Sequence, residues 1–103
     1  SLSYINKLRG CAYANNPGSS EGNISAGDLS LDFILDERAR ELYWEAQRRT
    51  DLIRYNKLTT GEYLWAWKGG VREGTQVNEK YNIFPLPTSD ILANPNLEQN
   101  DKY

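Results

Sequence analysis

Apolar residues first recur at helical spacing in Leu2, Ile5, Leu8 and Ala12, which predicts a short helix over residues 2–14. The run Asn15-Asn16-Pro17-Gly18-Ser19-Ser20 supplies a turn and breaker cluster that ends it. The next start is at Ser30, a side chain suited to cap a helix, with Leu29 before it and Ile34 four positions after it in the arrangement of a hydrophobic staple. Asp32 suits the positive end of the helix dipole. From Leu31 to about Arg49 there is neither Gly nor Pro, which predicts a long central helix, continuing or bending through Asp51 to Tyr55. At about 100° per residue, Leu31, Leu35, Leu42, Ala46 and Ile53 fall in one stripe, with Phe33 and Trp44 nearly opposite. A helix apolar on two sides is normally sandwiched between others, so burial on both faces is expected and the chain reads as a fragment of a larger packing unit.

Beyond Leu58 the helical period is lost. Thr59-Thr60-Gly61 and Lys68-Gly69-Gly70 mark loops with brief extended pieces, Tyr81 to Phe84 being one. Pro85-Leu86-Pro87 stiffens the chain, Thr88 or Ser89 can cap a short helix through Ala93, and Asn94-Pro95 stops it. The expected class is mainly α: a helical fragment with a long central helix and an irregular, loop-rich C-terminal half, residues 1–103 forming one segment.

Composition sharpens this picture. Counting glycine, 41 of 103 residues are apolar, a share below that of a self-sufficient globular core. Three Trp and seven Tyr must therefore supply much of the packing area. A net charge of −2 with interspersed signs gives no basic field, so nucleic acid is excluded as an expected partner. The absence of His removes the commonest general base and transition-metal ligand. No apolar run reaches the length of a membrane span. Leu8-Arg9-Gly10-Cys11 superficially resembles a lipoprotein cleavage box, but it follows only seven residues, including Lys7, and no apolar stretch. Cys11 is accordingly read as a small buried hydrophobe near a helix end.

Glu37, Glu41 and Glu45 recur every fourth residue and could in principle present carboxylates for acid/base hydrolysis. Arg38, Arg40, Arg48 and Arg49 interleave with them, and Glu45 with Arg49 has the favourable order for a helical ion pair. Pairing favours the ionised carboxylate, whereas a general acid must hold a proton, so a structural network is the expectation. No catalytic residue and no metal ligand is assigned; the carboxylates show no calcium-loop spacing. Tyr63, Trp65 and Trp67 alternate with Leu64 and Ala66, so an extended backbone would set three rings about 6.6 Å apart on one face, able to stack on a glycan. Packing of those rings against other elements is the competing reading. They are the candidate carbohydrate-binding residues.

The stretch Leu31-Asp32-Phe33-Ile34-Leu35-Asp36-Glu37-Arg38-Ala39-Arg40-Glu41-Leu42-Tyr43-Trp44-Glu45, continuing through Arg48-Arg49-Thr50-Asp51-Leu52-Ile53-Arg54-Tyr55, resembles the signature of the SusD/RagB family. Phe84-Pro85-Leu86-Pro87-Thr88-Ser89-Asp90-Ile91, then Asn94-Pro95-Asn96-Leu97 and Gln99-Asn100, resembles the closing segment of those proteins. Two departures stand out: Asn56 where many members have Gly, and Asp101-Lys102 in place of a common Pro-Gly before the final Tyr103. The resemblance implies a C-terminal segment of a larger, tetratricopeptide-like α-helical surface lipoprotein. Its lipid anchor would lie in an N-terminal part outside this chain. It would capture oligosaccharides or other nutrients at the outer membrane for a SusC-like TonB-dependent transporter, without a cofactor and without enzymatic activity. In that setting the main sugar site is expected upstream, leaving this segment as scaffold. The alternatives are a helical protein-interaction scaffold with no sugar role, or a glycoside hydrolase fragment.

Overall fold

The computed structural model describes residues 2–13 and 20–103. It is mainly α, with helices α1 (Leu2–Ala12), α2 (Leu31–Glu41), α3 (Arg48–Arg54) and α4 (Thr88–Ala93), and no strand among the described residues. Two 3₁₀ turns, Lys68–Gly70 and Glu79–Asn82, punctuate the loop-rich half. The chain forms two compact units, 1–45 and 46–103. No helix among the described residues is long and apolar enough to cross a membrane. The breaker run Asn15 to Ser20 lies, apart from Ser20, outside the described residues.

In the first unit α2 starts as its sequence dictates. Ser30 is extended (φ −115°, ψ 169°) and its Oγ accepts the Phe33 N–H at 3.0 Å, satisfying one of the free donors of the first turn. Leu35 is the anchor of this unit, 1% exposed. Its other fastenings are polar. The Asn6 side-chain amide pairs with the Ile24 backbone, donating to the carbonyl at 3.1 Å and accepting from the N–H at 2.9 Å. Arg9 donates through Nε to the Gly22 carbonyl and through a terminal nitrogen to Glu37 at 2.9 Å, and Arg40 closes on the same Glu37 oxygen at 2.6 Å. Cys11, expected to be buried, is exposed, because α1 buries none of its residues.

The long central helix divides. α2 ends at Glu41, and the chain turns through Trp44 (φ 69°) and Ala46 (φ 58°), both left-handed, before α3 begins at Arg48. No Gly or Pro marks the break; the aromatic pair Tyr43-Trp44, a weak helix former because ring rotamers are restricted against the preceding turn, is its only local signal. Two expectations change with it. The phase of the helical wheel does not carry past Leu42, so Ala46, Ile53 and Trp44 do not extend its two stripes, and Trp44 is 89% exposed. The opposite face is covered differently from expectation: Phe33 lies between guanidinium groups, Arg9 at 5.7 Å and Arg40 at 5.8 Å from its ring centre, in place of a second apolar layer. The carboxylate ladder likewise ends at Glu41, and Glu45 to Arg49 is not a helical spacing.

In the second unit α3 buries Leu52 and Asp51 and closes with a Schellman turn. The Lys57 N–H donates to the Leu52 carbonyl at 2.7 Å and the Asn56 N–H to that of Ile53 at 2.9 Å, with Asn56 left-handed at φ 54°. That geometry suits position 56 to few residues: Gly adopts it without a Cβ penalty, and Asn is the next best. Lys102, the other departure, also takes a positive φ, 71°, in a turn closed from the Tyr103 N–H to the Asn100 carbonyl at 3.3 Å. Pro-Gly is the natural occupant of such a turn.

After Leu58 the backbone is extended at Val71, Asn78 and Ile83 without forming a strand among the described residues, and Tyr81 and Asn82, expected in an extended piece, belong to a 3₁₀ turn. Two glycines permit the tight packing of this region. Gly69 (φ 67°) approaches Thr75 so closely that a Cβ would sit 2.6 Å from its methyl, and at Gly74 (φ 81°) a Cβ would meet the Trp65 carbonyl at 2.5 Å. The closing segment is held by amide side chains. Leu86, between two prolines that lack an N–H, donates to Gln99 Oε1 at 2.8 Å and accepts from Gln99 Nε2 at 3.0 Å. Asn100 Nδ2 donates to the Phe84 carbonyl at 2.6 Å. The Tyr103 hydroxyl lies 2.9 Å from the Lys80 carbonyl and 2.8 Å from that of Ile83, donating to one at a time.

Candidate binding site

Lys68 lines a concave feature of the second unit. Gly69 and Gly70 let the chain turn tightly enough to fold this lysine inward, where it is only 3% exposed. Its Nζ donates to the carbonyls of Thr60 (2.5 Å), Tyr63 (2.7 Å) and Lys57 (3.4 Å), so three protons meet three acceptors. Burial lowers its pKa from the ordinary lysine value; the three carbonyls oppose that by solvating the charged form. The same ammonium lies 4.7 Å from the centre of the Trp65 ring. One buried charge therefore fixes the loop 57–63 and the plane of a tryptophan.

Tyr63 is fixed from α3. Arg48 donates to its hydroxyl, and the Arg48 guanidinium lies 5.4 Å from its ring centre, with Lys57 at 5.7 Å. Tyr63 and Trp65 form a tilted pair, centroids 6.2 Å apart and planes at 55°. Trp65 remains 40% exposed. Trp67 does not join them as a third strand-spaced ring. The Lys68 N–H donates to the Trp65 carbonyl at 3.1 Å, so the chain is already turning, and Trp67 itself is left-handed (φ 70°) and 67% exposed.

Two adjoining hollows share Arg49, Leu58 and Trp65. One, of about 400 Å³, includes Arg48, Leu52 and Tyr63; the other, of about 540 Å³, adds Lys68, Gln76, Asn78 and Tyr81. Such a surface offers apolar ring faces beside amide and guanidinium donors, the combination needed to hold a polyhydroxylated ring. The alternation in sequence points to Tyr63 and Trp65; Arg49 stands beside them on α3, and Lys68, Gln76, Asn78 and Tyr81 are brought in by the turns between residues 68 and 82. The glycine pair after Lys68 was the only signal in the sequence. Among the described residues no group of three or more His, Cys, Asp or Glu could hold a metal.

The carboxylates of the first unit are committed elsewhere. One Glu37 oxygen accepts from Arg9 and from two nitrogens of Arg40 at 3.0 and 2.6 Å, beneath the Phe33 ring's two cations. This is a structural ion-pair hub.

Comparison with known proteins agrees with both signatures. The chain is 51% identical over 70 residues to the starch-binding protein SusD of Bacteroides thetaiotaomicron, covering 68% of this chain and 13% of that protein. It is 37% identical over 81 residues to SusD-like protein P38 of Formosa agariphila, covering 79% of this chain and 14% of that protein. The chain thus spans only a small part of the length of the curated relatives it matches. The model of the SusD family matches residues 1–103. By that match along its whole length, the chain belongs to the SusD family.

Proposed function

We propose that this chain serves carbohydrate capture at the bacterial outer membrane. In this reading it is the C-terminal segment of a longer nutrient-binding lipoprotein that hands oligosaccharides to a SusC-like TonB-dependent transporter. The observation that carries the proposal is the 51% identity to a starch-binding protein over two thirds of the chain. The Tyr63–Trp65 pair is consistent with it, because both rings are pre-set by neighbouring cations and Trp65 keeps an open face. Most of the segment is scaffold. Only Leu35 and Leu52 are buried apolar residues among those described, while Trp44, Leu92, Phe84 and Leu31 expose most of their surface, as suits a piece that packs within a larger tetratricopeptide-like body. In this reading the Glu37 carboxylate, engaged by two arginines, serves structure and not catalysis. Trp67 stays in the candidate set as an exposed ring next to the cleft.

Genetics tests the proposal. Deleting this segment from its gene in the source organism is expected to abolish or slow growth on one polysaccharide as sole carbon source while growth on the corresponding monosaccharide is unchanged. Undiminished growth on every polysaccharide that the parent strain uses contradicts it.

A further inference from the structure

The cleft beside Trp65 has a charge pattern that bears on its ligand. Neither hollow is lined by an Asp or Glu, although the whole chain is net negative. Of the cations lining the larger hollow, Lys68 is spent on three backbone carbonyls. Arg49 is not. Its guanidinium lies 4.2 Å from the Phe84 ring centre and donates to the Tyr81 carbonyl at 2.5 Å, and among the described residues it has no carboxylate partner. A guanidinium has five N–H donors in a rigid fork, so one donation leaves most of them unused. Stacking and the carbonyl bond also hold it in place, which lowers the entropy cost of engaging a ligand. A forked, immobilised cation without a counter-ion, next to an open tryptophan face, is suited to an anionic group carried on a sugar ring.

We infer that the cleft lined by Arg49, Trp65, Gln76, Asn78 and Tyr81 is a subsite for acidic saccharides, with Arg49 receiving the anionic group and Trp65 the sugar face. The inference rests on the carbohydrate reading above and narrows it to sugars bearing a carboxylate or a sulfate ester. Gln76 and Asn78 supply amide groups for ring hydroxyls. A neutral sugar would use the same ring face and leave the Arg49 charge without a ligand partner.

Calorimetry at low salt with the chain compares three classes of probe: maltoheptaose, an oligogalacturonide and a sulfated galactan oligosaccharide, with sodium acetate and sodium sulfate as sugar-free anions. At least one acidic oligosaccharide is expected to bind about tenfold or more tighter than maltoheptaose, and whichever acid binds identifies the anionic group. Its affinity is expected to fall steeply as salt is raised, through screening of the Arg49 contact. Arg49→Gln should remove both the preference and the salt dependence, and Arg49→Lys, which keeps the charge but not the fork, should retain the salt dependence with a smaller preference. If Arg49→Gln does not fold, the salt dependence of the unaltered protein and of Arg49→Lys decides. Equal or tighter binding of maltoheptaose overturns the inference but spares the carbohydrate proposal. Acetate or sulfate binding as well as the acidic sugars overturns it also, because the site then reads an anion only. Binding of no saccharide at all overturns the subsite here, and the growth experiment still judges the broader proposal.

Discussion

Asn56 and Lys68 show how single side chains carry the local architecture. At Asn56 the left-handed backbone is required by the end of α3, so the residue is under conformational selection independent of any contact. Asn56→Gly should leave stability unchanged or raise it by up to about 1 kcal/mol, and Asn56→Val should lower it by about 1–2 kcal/mol, the cost of a branched Cβ in that region. Denaturant unfolding of the two variants checks the sign difference; equal destabilisation by both contradicts it. At Lys68, replacement by Met keeps the stem but strands buried carbonyls, and a loss of about 1–3 kcal/mol is expected with a blue or red shift of Trp65 fluorescence as its ring is released. Asp28 is a third, exposed case. Its carboxylate accepts from the Ser25 hydroxyl at 2.6 Å and the Ser25 N–H at 2.9 Å, and those bonds hold its pKa below the ordinary 3.8. A depressed carboxylate pKa means that the turn is fully supported above the ordinary value and loosens as pH falls through the lowered one. The Ser25 amide proton, followed by NMR, should move upfield only on that acid side.

At the scale of elements, the chain repeatedly uses a side-chain amide where other proteins use a strand. Asn6 pairs both backbone groups of Ile24, and Gln99 pairs both of Leu86. The second pairing follows from covalent structure: Pro85 and Pro87 offer no N–H, so a full ladder is impossible and one amide side chain serves the single donor available. Gln99→Leu should therefore release the closing segment at a cost of about 1–2 kcal/mol and speed hydrogen exchange at the Leu86 amide. Unchanged exchange there contradicts the clamp. The start of α2 was legible in sequence because a cap is local: the Ser30 hydroxyl acts three residues on; α4, by contrast, begins at Thr88 directly after Pro87 and lacks the side-chain cap expected of Thr88 or Ser89. The break at Trp44 and Ala46 was not, since helix propensity is a weak prior that packing overrides and no Gly or Pro announced it. Likewise Tyr63 and Trp65 could be picked out from alternation, but the turn at Trp67 and the arrival of Gln76, Asn78 and Tyr81 depend on hydrogen bonds between residues far apart in the loop, such as the Thr75 N–H to the Lys68 carbonyl at 3.0 Å.

Across the described residues apolar burial is thin and polar clamping is dense, the balance expected of a segment whose large exposed side chains are completed by other surfaces. The role proposed for this segment is to support carbohydrate capture chiefly as scaffold, with one shallow candidate subsite at Trp65. A shallow platform buries few sugar atoms and still bears the entropy cost of association, so a neutral oligosaccharide should be held weakly. Isothermal titration of the chain with maltoheptaose tests this most directly. A Kd no tighter than roughly millimolar, about −4 kcal/mol, is expected; a micromolar Kd that disappears in Trp65→Ala or Trp67→Ala would overturn the scaffold role and make this segment the primary binding site.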